Sequence, residues 1–169
     1  MRNSNRKDAL LRMLELALRW HVSLSMFVYG FAKTVQFSPT AEVATPVNEL
    51  AGQELMWAFY GYSIGYAKFL GIVEMTGAVL LLFRRTTLLG CLVVTVVLVN
   101  VIAQDIVYGV LEGALRAAII YQVFTLFIVL LNREQVVRIW KAFTTTRTAP
   151  ATIRWYWLAL GALGILGCT

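Results

Sequence analysis

Glu74 sits near the middle of an apolar run, residues 66–83, that is long enough to cross a bilayer. A carboxylate at that depth costs roughly 2.5–3.5 kcal/mol on insertion scales, so its presence asks for a reason. It has company. Arg19, Lys33, Lys68, Asn100, Gln104, Asp105 and Arg116 also lie inside or at the ends of apolar runs. Ionisable groups within membrane segments pair with one another, relay protons or hold a polar head group. Lys33, Lys68 and Arg116 can meet Asp105 and Glu74, with Glu112 at the rim, so the set nearly balances in charge. These residues predict a polar pocket in the outer half of a helical bundle. The competing expectation is a set of ion pairs and hydrogen bonds that only fix helix packing, at ~0.6 kcal/mol per contact.

Other chemistry has weaker support. His21 is the only histidine, so a bis-histidine haem site is excluded, and no Cys or carboxylate stands at metal-ligand spacing from it. Cys91 and Cys168 are far apart in apolar surroundings without a CxxC, which suits small buried hydrophobes better than thiol exchange. No dinucleotide fingerprint, Walker motif or Ser/His/Asp arrangement is present. No intrinsic cofactor is expected; a quinone or a lipid is the expected small-molecule partner.

The elements that must position these residues follow from composition and periodicity. Of 169 residues, 59% are hydrophobic and only 14% charged, and the mean hydropathy is +0.71. Soluble domains carry about 25% charge, so this excess of apolar side chains calls for lipid. The net charge of +6 does not point to nucleic acid, because the basic residues cluster between apolar runs as topology signals do.

Four runs near the ~20 residues a spanning helix needs are predicted at 9–35, 63–83, 88–108 and 114–131. The predicted fold is an all-α transmembrane four-helix bundle over residues 1–131. A basic cytoplasmic connector, 132–154, follows, resting on anionic lipid heads. A short fifth apolar helix, within 155–169, is either a spanning or an interfacial segment. The N-terminal run is too long for a signal peptide and lacks a small-residue cleavage site, so it reads as an uncleaved first span. Arg84, Arg85, Arg133, Arg138, Lys141 and the N-terminal basic residues fall on one side if the spans alternate. The opposite loop carries Glu42, Glu49 and Glu54 and no Lys or Arg, which puts the N-terminus in the cytoplasm of a bacterial inner membrane. Within that loop, Pro46 followed by VNELAGQELMWAFYGY predicts a capped helix on the outer face, with Pro at its first position. Its aromatic end, with Trp57 and the nearby Tyr66, either lies on the membrane surface and anchors the second span or folds back over the bundle as a lid.

Helical spacing then aligns the polar residues. Arg19, Ser23, Met26, Gly30 and Lys33 share one stripe, and Glu15 lies one turn before Arg19. Ala67, Gly71, Glu74, Gly77 and Ala78 share another, on which the Gly and Ala residues let a neighbouring helix approach closely. Glu74 therefore faces protein, ~13.5 Å along the helix from Phe83 at ~1.5 Å per residue. Asn100 and Gln104 stand one turn apart, flanked by Asp105 and Tyr108.

These residues resemble the DoxX-like family of small four-helix membrane proteins. The matching pieces are Gly30-Phe31-Ala32-Lys33 and MWAFYGYSIGYAKFLGIVEMTGAVLLLFRRTTLLG, residues 56–90, with a looser match at Asn100 and Asp105…Tyr108. The likeness extends over residues 19–131, and the Glu in a Gly-rich helix before a basic turn is its specific part. Leu111-Glu112-Gly113 departs from the Pro-Val-Lys typical of close relatives. The resemblance implies a four-helix fold in a bacterial inner membrane, with links to thiosulfate:quinone oxidoreduction, oxidative-stress complexes and, in a distant eukaryotic branch, receptor assembly. Carried over by position, it singles out Arg19, Gly30, Lys33, Glu74 and Asn100.

Three functions follow as expectations, in this order: an accessory subunit binding a quinone or other small amphiphile for a redox partner; a scaffold or assembly protein without a ligand; and a small-solute transporter, which four spans would form more readily as a homo-oligomer.

Overall fold

The first helix, α1 (Arg2–Gln36), begins well before the apolar run that predicted it. The charged stretch ahead of Ala9 contains no Gly or Pro to stop a helix and supplies Arg and Lys, which lose little rotamer freedom in one. A computed structural model describes residues 2–37 and 45–145 of the chain. After α1 come a 3-10 turn at Val47–Glu49 and five further helices: α2 (Gly52–Tyr62), α3 (Ile64–Leu82), α4 (Thr87–Val107), α5 (Glu112–Leu131) and α6 (Arg133–Thr144). The described residues contain no strand. The helices α3, α4 and α5 are each long and apolar enough to cross a membrane. The four long helices pack in a closed ring: α1 against α3 and α5, and α4 between α3 and α5, with α2 leaning on α3.

Helix ends fall where the side chains dictate. Thr86 and Thr87 donate their hydroxyls to the carbonyls of Leu80 and Phe83, at 2.8 and 3.0 Å, and so close the Arg84-Arg85 turn between α3 and α4. Gly90 allows the close approach at this corner, since a Cβ there would lie 2.6 Å from the Leu81 nitrogen. α4 stops at Gly109, whose φ of 63° is left-handed backbone. Val110 N–H then bonds the Asp105 carbonyl at 3.0 Å, the pattern of a Schellman cap.

Two expectations are corrected. The outer helix does not begin at Pro46. That proline precedes the 3-10 turn, and α2 starts at Gly52. Glu54 fixes the start by accepting the Ala51 N–H at 3.0 Å, three residues back, as in a capping box. The connector after Asn132 is also not plain linker, for α6 occupies Arg133–Thr144. Val136, Ile139, Trp140 and Phe143 lie along one side of it and Arg138 and Lys141 on another, the pattern of an interfacial helix. The chain divides into two units, Met1–Val136 and Val137–Thr169, with the boundary inside α6. The predicted fifth apolar helix at 155–169 lies outside the described residues, as does Cys168.

The core lies inside the ring. Val22, Met26, Ala78, Leu81, Cys91, Val94, Leu98, Ala118 and Ile128 form one buried cluster. Phe37, Met56, Tyr60 and Ala67 form a second, where α2 meets the end of α1 and the start of α3. The outward faces are apolar as well: Leu24 and Phe31 are each 67% exposed, and Val96 is 64% exposed. Apolar outward faces around a bundle that buries Arg19, Glu74 and Asp105 are what a lipid environment selects.

Candidate functional site

The α1–α3 crossing builds the site. Arg19 pairs with Leu81 and Leu82, Ser23 with Ala78, and Gly30 meets Gly71, so the two helices run antiparallel. Gly30 and Gly71 are pressed together, since a Cβ on Gly30 would lie 2.7 Å from the Gly71 carbonyl oxygen. The space each glycine leaves is used by the other helix. Lys33 passes over Gly71, Glu74 passes over Gly30, and their ends meet with Nζ 3.1 Å from Oε1. Glu74 is 3% exposed, and its second oxygen, Oε2, has no hydrogen-bond partner among the described residues. Asp105, 6% exposed, likewise leaves Oδ2 unpartnered.

Both carboxylates line a cavity of about 510 Å³ that reaches all five of α1 to α5. Lys33, Asn100 and Gln104 line it too, as do Trp57 and Tyr66. The Tyr60 hydroxyl donates to Gln104 Oε1 at 2.8 Å, which ties α2 to α4 and leaves the Gln104 amide nitrogen to donate elsewhere. Burial pushes the Tyr60 hydroxyl above the ordinary tyrosine range, more than its bond to Gln104 lowers it, so it stays a neutral donor. Phe37 stacks on Tyr60 at 4.8 Å and meets Trp57 edge-on at 5.9 Å, and Tyr60 stacks parallel to Tyr66 at 6.2 Å. One wall of the cavity is therefore a layer of aromatic rings.

Three of the expected pocket residues lie elsewhere. Arg19 is buried, but its Nε and Nη2 donate to the Leu81 and Leu82 carbonyls at 2.7 and 2.6 Å. It caps the C-terminal end of α3, where a cation also meets the negative end of the helix dipole. Glu15 Oε1 lies 3.9 Å from Arg19 and accepts the Asn132 amide at 3.0 Å. Lys68 is exposed on α3 and does not line the cavity. Arg116 is exposed and pairs with Glu112 one turn back on α5. The expected balance of charge is thus not met inside. Among the described lining residues, Lys33 is the single cation facing Glu74 and Asp105.

Sequence reasoning missed several lining residues. Gln53, Met56, Trp57 and Tyr60 share one face of α2 at helical spacing, so the signal for Tyr60 was present in the periodicity. Tyr29 and Tyr121, whose rings lie 6.1 Å apart, also line the cavity. Phe37, just past the end of α1, carried no such signal.

Comparison with known proteins adds one relative. The chain is similar to the uncharacterized protein YwoB of Bacillus subtilis (strain 168), at 28% identity over 137 residues, which is 80% of this chain and 87% of that one. No family model matches. No solved structure matches either.

Proposed function

We propose that the chain is an integral protein of a bacterial inner membrane, DoxX-like in kind, with α1 crossing the bilayer beside α3, α4 and α5. Its N-terminus lies in the cytoplasm, and the cavity beneath α2 opens in the outer half. There it binds a quinone or another small amphiphile on behalf of a redox partner. The cavity carries this reading. Its volume of about 510 Å³ falls in the usual range for small-ligand sites, and a few polar groups converge in it beside apolar and aromatic walls. The resemblance of residues 19–131 to DoxX-like proteins supports the redox setting, and the loop charges support the orientation. Lys33 and the Gln104 amide are donors suited to a carbonyl head group, while the rings of Trp57, Tyr60 and Tyr66 cover its plane. The amphipathic α6 supports a seat on the inner leaflet.

Titration of the purified chain with a short-chain benzoquinone tests the proposal. Lys33→Met should weaken binding roughly tenfold, the worth of about one charge-assisted hydrogen bond, and Glu74→Gln should weaken it by releasing the Lys33 ammonium that Glu74 holds at 3.1 Å. Binding that is unchanged in both variants would overturn it.

Arg19 favours a second reading, an assembly or scaffold protein without a ligand. Two of its donors are spent on α3 carbonyls, a structural use of a charge inside the bundle. Under that reading Glu74→Gln lowers the yield of folded protein and changes nothing separable from it.

A further inference from the structure

We propose that the cavity selects an amphiphile with a protonated amine head, a monocation carried on an aromatic or alkyl body. The inference rests on the binding pocket proposed above and names the class of ligand it takes. Among the described residues that line the cavity, two are carboxylates, Glu74 and Asp105, and one is an ammonium, Lys33. Lys33 is engaged with Glu74 Oε1 at 3.1 Å. The two other cations expected to balance the pair are absent from the lining: Arg116 pairs with Glu112, and Lys68 points away. With both carboxylates ionised, one negative charge is left for a ligand to meet.

The orphaned atoms point the same way. Glu74 Oε2 and Asp105 Oδ2 are buried acceptors without donors among the described residues. Leaving a buried polar group unpaired is costly, and such groups are nearly always satisfied. A quinone head offers only carbonyl acceptors and cannot serve them, whereas an alkylammonium brings up to three N–H donors together with the missing charge. The aromatic layer suits the same ligand, since Trp57 and Tyr66 line the cavity and aromatic rings attract a cation through their quadrupole.

The test uses the full chain in nanodiscs of zwitterionic phosphatidylcholine, with phenylbutylamine, its neutral isostere phenylbutanol and a short-chain benzoquinone as probes in ligand-observed NMR. At neutral pH the amine should bind at least about tenfold tighter than the alcohol. Asp105→Asn, checked for helix content and monodispersity, should abolish that preference. Equal binding of amine and alcohol by the unaltered protein overturns the assignment, and so does a preference that survives Asp105→Asn. If quinone and alcohol bind and the amine is not favoured, the pocket stands and the cationic ligand falls. If no probe binds, both fall.

Discussion

Lys33 and Glu74 depend on each other. Each is held away from water by the other's helix, and removing one partner of a buried ion pair leaves an uncompensated charge at a cost of about 3–5 kcal/mol. Lys33→Met and Glu74→Gln should each lower stability by about that much in the absence of ligand. The double variant should lose much less than the two singles together. Reversible unfolding in SDS–detergent mixtures checks this, and additive losses would show that the two side chains are not coupled. At this scale the sequence was legible where depth alone forces a conclusion. A carboxylate at the middle of 66–83 has to face protein, and it does. It was not legible where the outcome turns on which neighbour a long side chain reaches. Arg19 shares its stripe with Lys33, yet the C-terminal carbonyls of α3 lie within its reach and draw it away from the cavity. Arg116 has Glu112 one turn away on its own helix, a nearer partner than any across the bundle.

Among the elements, the α1–α3 pair rests on the absence of side chains at Gly30 and Gly71. A Cβ on Gly71 would run into the Gly30 carbonyl, which is backbone and cannot step aside. Gly71→Ala should therefore separate the helices, lengthen the Lys33–Glu74 contact and cost on the order of 1–3 kcal/mol. Gly65 lies on the same helix with nothing within 4 Å of the position a Cβ would take. Gly65→Ala should leave stability unchanged or raise it by up to about 1 kcal/mol through helix propensity alone. Comparison of the two unfolding curves checks the pair, and equal effects would mean that the crossing is looser than described. The small residues at 67, 71 and 78 made this interface readable in advance, because a face of Gly and Ala on a membrane-length helix has few other uses, whereas Gly77 packs on Val93 and Val94 of α4. The start of α2 was not readable in the same way. Pro46 is a good helix opener by propensity, but the chain takes a 3-10 turn there and the Glu54 side chain sets the true start six residues later, at Gly52. α6 was hidden by its charge content, which reads as linker unless the apolar spacing of Val136, Ile139, Trp140 and Phe143 is weighed as well.

For the whole molecule, the proposed orientation puts Tyr62 outside and the Arg84-Arg85 turn inside. Tyr62 is 91% exposed, at the end of α2. In a background lacking the native thiols, Tyr62→Cys should react with a membrane-impermeant maleimide on intact cells. Arg85→Cys should react only after permeabilisation. The reverse pattern would invert the topology, and labelling of both on intact cells would deny that α3 crosses. The helices α3, α4 and α5 could be read directly from apolar runs near twenty residues, whereas α1 extends beyond its run. The aromatic wall could not, since it joins residues from 37, 57, 60 and 66, and their meeting depends on how the outer segment folds back.

The Glu15 carboxylate, the Asn132 amide and the Arg19 guanidinium knit α1, α3 and α5 at the end where α5 finishes. The far end is held mostly by rings lying on rings, with the Tyr60–Gln104 bond as its polar stitch. Directional bonds to main-chain carbonyls break abruptly, whereas stacked faces slide over one another for little energy. A guest arriving in such a molecule would find a clasp shut at the base and a hood that shifts aside.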